Sequence, residues 1–95
     1  MVEFTFDHRV AVPDSVMIRD VAGESVILNL DTEAYFGLDE IGTRMWHVLT
    51  TSKSIQEGIA KLLDEYEVDP ATLERDVRHL LTELAGEGLI SFESD

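Results

Sequence analysis

Ninety-five residues, 44% hydrophobic and 28% charged, suffice for one core and not for two, and they exclude a disordered or low-complexity chain. Twenty Asp and Glu against seven Lys and Arg leave a net charge of −13, a field that repels nucleic acid and anionic lipid and favours cationic or neutral partners. The chain has no cysteine, which excludes disulfides, thiolate zinc sites and cysteine nucleophiles.

Residues 1–13 hold Phe4, Phe6, Val10 and Val12 and end at Pro13. They read either as a flexible arm or as an extra edge strand, since the proline rules out a central one. They carry neither the basic region nor the apolar run of a signal peptide. No stretch reaches the roughly 18 apolar residues of a membrane span, so a cytoplasmic protein without membrane contact is expected. Three short runs follow: residues 16–21, residues 24–30 after the turn signal Ala22-Gly23, and residues 34–38 after Asp31-Thr32-Glu33. They predict an antiparallel three-stranded meander. Within the second run Val26, Leu28 and Leu30 share one face, and Ile27 and Asn29 the other.

Three helices complete the chain. Asp39 is placed to cap a helix carrying Ile41, Met45, Trp46 and Leu49. Ser54-Ile55-Gln56-Glu57 has the form of a capping box, followed by Ile59, Leu62, Leu63 and Tyr66 on one stripe. Asp69-Pro70 starts a third helix with Leu73, Val77, Leu80, Leu81 and Leu84, and Gly86 and Gly88 mark its stop. Residues 89–92 return as a short strand. The expected fold is a single α+β domain over residues 1–95, winged helix-turn-helix-like, with a three-stranded antiparallel sheet followed by three helices.

Convergent catalytic groups are missing from this pattern. His8, His47 and His79 fall on separate elements without ligand spacing, and no zinc, nucleophile-elbow or phosphate-loop motif occurs. The acidic run Asp64, Glu65, Glu67 and Asp69 lacks the alternating ligands and glycine of a calcium loop. No enzyme activity, metal or cofactor is expected. A winged-helix layout invites comparison with DNA readers, yet residues 70–88 carry Glu74, Asp76, Glu83 and Glu87 against Arg75 and Arg78. That net −2 opposes phosphate contact. A binding module remains, because a three-stranded meander leaves an edge able to accept an extended peptide. Tyr35-Phe36-Gly37-Leu38 has no Lys or Pro to blunt such an edge. The same run also reads as plain core, with Phe36 and Leu38 inward and Tyr35 half exposed.

The stretch Asn29-Leu30-Asp31-Thr32-Glu33-Ala34-Tyr35-Phe36-Gly37-Leu38-Asp39, with Gly42, Met45, Trp46 and Leu49 after it, resembles the PqqD-like family. The similarity continues through residues 54–57, 66–70, 75–77, 80–84 and 88–90, and covers about residues 14–92. Glu33 and Ala34 depart from the pattern where a turn glycine is common, and Met45 stands for Ile. The resemblance implies a recognition element for precursors of ribosomally made, modified peptides. It implies binding of the leader segment as an extra antiparallel strand beside the third strand, in a cleft closed by the third helix. Residues 35–42 are most similar to the stand-alone lasso-peptide protein, which hands the leader to a separate cysteine-protease-like peptidase. The alternative is PqqD itself, which presents its precursor to a radical-SAM enzyme; a DNA-binding regulator is the remaining rival. Carried onto this chain, the main chain of Tyr35, Phe36 and Gly37 would pair with the leader. Leu28, Leu30, Val77, Leu80 and Leu84 would form the walls, with Asp76 at the rim.

Overall fold

The computed structural model describes residues 3–94; the first two residues of the expected arm, and Asp95, lie outside the described residues. The chain runs β1 (Arg9–Ala11), β2 (Val16–Val21), β3 (Glu24–Asn29), β4 (Tyr35–Leu38), α1 (Glu40–Thr51), α2 (Ile55–Glu65), α3 (Pro70–Gly86) and β5 (Ser91–Glu93). The order β2-β3-β4 forms an antiparallel sheet ahead of three helices, the expected α+β architecture.

Turn chemistry sets the sheet register. Ala22 (φ 55°) and Gly23 (φ 87°) both take left-handed backbone angles, the two-residue turn whose twist matches the flanking strands. It aligns Val21 with Glu24 and Val16 with Asn29. The β3–β4 turn closes by hydrogen bonds from the Asn29 N–H to the Ala34 carbonyl (2.9 Å) and from the Glu33 N–H to the Asn29 carbonyl (2.8 Å). Glu33 sits at φ 64°, the conformation for which a glycine is the usual choice.

Each helix begins where a short polar side chain accepts an otherwise unpaired N–H. Asp39 accepts from Gly42, Ser54 from Glu57, and Asp69 from Thr72. In α3 a Pro occupies the first turn, where its missing N–H costs nothing. That helix ends with Gly88 at φ 74°, its N–H on the Ala85 carbonyl and the Leu89 N–H on the Leu84 carbonyl. Helix α2 closes tightly on α1 at Gly58, where a Cβ would stand 2.8 Å from Leu49 Cδ2.

The core lies between the inner sheet face and the helices. Ile27, Ile55, Ile59, Leu62, Val77 and Leu89 are fully buried within it. The inner face of β3 is its less apolar one, Ser25, Ile27 and Asn29. Its hydroxyl and amide are satisfied locally: Ser25 and Thr43 Oγ atoms lie 2.7 Å apart, and the Asn29 amide donates to the Gly88 carbonyl.

Residues near the N-terminus adopt the strand alternative. β1 and β5 form a second, two-stranded sheet with Val10 opposite Phe92, and Arg9 pairs with Glu93. Preceding residues dock as well. The Phe4 ring stacks on Phe92 with centroids 4.3 Å apart, and the Arg78 guanidinium lies 4.7 Å from the Phe6 centroid. The carbonyls of His8 and Phe6 accept the N–H groups of Ile55 (2.8 Å) and Gln56 (2.9 Å). Together with Ser54 they satisfy the start of α2.

Candidate peptide-binding edge and cleft

Strand β4 pairs with β3 on one side alone among the described residues. The hydrogen bond from Asn29 to Ala34 fixes which groups remain free. In an antiparallel ladder bonded pairs recur every second residue, so Phe36 opposite Ile27 and Leu38 opposite Ser25 direct their main chain at β3. Tyr35 and Gly37 then direct N–H and C=O groups outward. Gly37 has open space around it, with no atom within 4 Å of a built Cβ. The free edge is thus two residues long and without a charged side chain.

The expected site residues separate into three groups. Tyr35 (74% exposed) and Leu30 (59%) are open, and Leu28 lies opposite Tyr35 on the same outer face. Asp76 is exposed, and Leu80 is half-buried against the core. Val77 and Leu84, expected as cleft walls, are instead core: both are almost wholly buried, on the side of α3 turned to the molecule's interior. Phe36 is corrected likewise. Its ring packs on the core and its main chain faces β3, so it offers no hydrogen bond to a ligand at the edge.

Beyond the end of β4 lies a cleft that the residue pattern did not single out. A cavity of about 240 Å³ is lined by Ile41 and Met45 of α1, Leu62, Tyr66, Glu67 and Val68 at the end of α2, and Leu73 and Asp76 of α3. Ile41 is 54% exposed, which is unusual for a large apolar residue at a helix start. This exposure was the missed signal, because helical spacing places Ile41 on the stripe of Met45 without showing that no side chain covers it. Glu67 and Asp76 rim the cavity. The nearby Arg44 is held by Glu65 through two hydrogen bonds of 2.8 and 3.0 Å. That pairing raises the guanidinium pKa above its ordinary value, chiefly through the hydrogen bond and then the charge of Glu65. Arg44 is thus paired at the exposed surface, beside Met45 and Tyr66 of the cavity lining.

The other polar groups stay dispersed. Thr5 N–H donates to His8 Nδ1, His47 lies 3.2 Å from Asp20, and His79 pairs with Glu83. Among the described residues no three His, Asp or Glu side chains are gathered to hold a metal ion. A broader depression of about 580 Å³ lies between the N-terminal residues and α3, but Arg78 in it already covers Phe4 and Phe6. No helix among the described residues is long and apolar enough to cross a membrane.

The family model described as coenzyme PQQ synthesis protein D (PqqD) matches residues 24–90. TbiB1, solved in complex with the TbiA(beta) leader peptide, is 38% identical, with 90% of this chain and 99% of that chain covered and a TM-score of 0.79. Lasso peptide synthetase B1, complexed with the leader peptide, shares the fold at 22% identity, with 87% and 98% covered and a TM-score of 0.77. No protein of curated function matches the chain.

Proposed function

The chain belongs to the PqqD family, and from that premise we propose that it binds the leader segment of a ribosomally made precursor peptide as an added antiparallel strand on β4. The observation that carries this reading is the unpaired edge of β4, where Tyr35 and Gly37 turn their main chain outward. TbiB1, whose fold covers most of this chain, was solved with a leader peptide bound. Main-chain pairing at such an edge holds any extended sequence, and side-chain pockets beside it select one. Tyr35 and Leu28 would meet alternate leader side chains on the outer face. Leu80, Asp76 and the cavity beyond β4 would meet those turned to the helices.

In this reading the protein performs no chemistry itself. It presents the bound precursor to a separate maturation enzyme, a cysteine-protease-like leader peptidase of a lasso-peptide pathway. The lasso assignment rests on the resemblance of residues 35–42. Calorimetry with the leader peptide encoded beside its gene tests the reading. A saturable heat with Kd of about 1 μM or below is expected, on the order of −8 to −10 kcal/mol. No saturable heat, or a shift of duplex DNA in its place, would sink it.

A further inference from the structure

We propose that the depression between the N-terminal residues and α3 is a binding site for a single carboxylate on a small apolar body, held by Arg78 and His8. It lies on the flank of α3 turned away from the leader cleft. Asp76 and Leu80 stand to one side of the buried stripe Leu73, Val77, Leu81 and Leu84, and Arg78 and Thr82 stand to the other. The volume of about 580 Å³ falls within the roughly 300–1,000 Å³ of small-molecule sites. Glu3, Phe4, Thr5, His8, Arg78 and Thr82 line it.

The donors in this lining decide the ligand. Glu74 stands four residues before Arg78, a spacing that suits a helical ion pair, yet among the described residues Arg78 pairs with no carboxylate. Its guanidinium lies over the Phe4 and Phe6 rings, 5.4 and 4.7 Å from their centroids. A guanidinium laid on rings keeps its in-plane N–H groups for a carboxylate. His8 accepts the Thr5 N–H at Nδ1 (3.1 Å), which places its ring hydrogen on Nε2 as a second donor. Thr82 spends its hydroxyl hydrogen on the Arg78 carbonyl (2.8 Å) and adds none. Glu3 in the lining and the net charge of −13 penalise a phosphate dianion more than a carboxylate. The Phe4 ring and the threonine methyl groups are the apolar part of the lining. A bound carboxylate would tie the N-terminal residues to α3, and their Phe6 and His8 carbonyls receive the first N–H groups of α2.

Titration of the isotope-labelled protein with phenylacetate, followed by amide chemical shifts, tests this. Saturable shifts are expected at Thr5, His8 and Thr82, with Tyr35 and Gly37 unmoved. Amide exchange at Ile55 and Gln56 should slow as the site fills. Arg78→Lys keeps the charge and loses the planar fork, so binding should weaken about threefold or more; Arg78→Gln should weaken it about tenfold or more. Glu3→Gln should tighten it, and phenylacetamide, which lacks the charge, should not saturate the site. N-Acetylphenylalanine binding more tightly than phenylacetate marks the ligand as the C-terminal residue of a peptide, and the reverse order marks a free organic acid. The absence of saturable shifts overturns the site. Equal binding of acid and amide, or weaker binding by Glu3→Gln, overturns the carboxylate assignment. Leader binding on β4 stands or falls separately, since its residues lie on the other flank.

Discussion

The Asn29 side-chain amide donates to the Gly88 carbonyl at 3.0 Å, joining the last residue of β3 to the turn that ends α3, 59 positions away. Its oxygen accepts from the N–H groups of Asp31 (2.9 Å) and Thr32 (3.2 Å), so one side chain shapes the β3–β4 turn and anchors it to the helical layer. The residue is only 5% exposed. Three hydrogen bonds at about 1 kcal/mol each, plus a carbonyl left under-satisfied, put the cost of Asn29→Ala at roughly 3–4 kcal/mol. That is a large share of the 5–15 kcal/mol typical of a domain. Urea unfolding should show a lower midpoint at unchanged slope. Asn29→Asp keeps the acceptor and turns the donor into an anion facing a carbonyl, so it should be destabilised as well.

Glu33 holds a left-handed backbone at φ 64°, which a side chain tolerates at a cost of about 1–2 kcal/mol. Its side chain is exposed and makes no hydrogen bond or ion pair among the described residues. Glu33→Gly is expected to stabilise by about 1 kcal/mol after the unfolded chain's extra freedom is discounted. The melting temperature should rise by about 4–8 °C. An unchanged or lower value would mean that the turn is not strained.

The helix starts were legible because capping is local: Asp39, Ser54 and Asp69 announce themselves within three residues of the N–H they accept. Strand pairing β2-β3-β4 was legible for the same reason, through its short turns. Pairing of β1 with β5 was only half visible, since each strand has three residues and its partner lies at the far end of the chain. Periodicity also groups residues by face without saying which face is covered. On β3 the apolar Val26 and Leu28 lie outward, as does Leu30 just past the strand, while Thr43 and Gly88 satisfy Ser25 and Asn29 inside. On α3 helical spacing puts Val77, Leu80 and Leu84 on one stripe without separating cleft from core, and the structure buries Val77 and Leu84. Leu80 lies between the two.

Phe4 bears on α2 although it is distant in sequence. Its ring is 9% exposed, stacks on Phe92 and lies under Arg78. The chain it anchors supplies the Phe6 and His8 carbonyls to the first N–H groups of α2. Phe4→Ala should cost about 3 kcal/mol from the lost ring and the space it leaves. Its signature is local: amide exchange at Ile55 and Gln56 should accelerate more than exchange at Ile27 in β3. Uniform acceleration would show that the N-terminal residues are not an independent cap.

Gly37 separates strand addition from every other mode of binding. Its N–H points away from β3, and its backbone is extended and not left-handed, so a proline there removes an outward donor while leaving the β3–β4 ladder intact. Gly37→Pro should keep its melting temperature within about 5 °C, a change under roughly 1 kcal/mol. It should bind the leader at least tenfold more weakly, about 1.4 kcal/mol or more. Gly37→Ala is the matched control, because its Cβ meets nothing within 4 Å and its N–H remains. Alanine should bind as the wild type does. Leader binding that survives the proline would place the peptide elsewhere than on the edge of β4, whereas a loss shared by alanine would point to crowding beside Gly37 and not to a missing hydrogen bond.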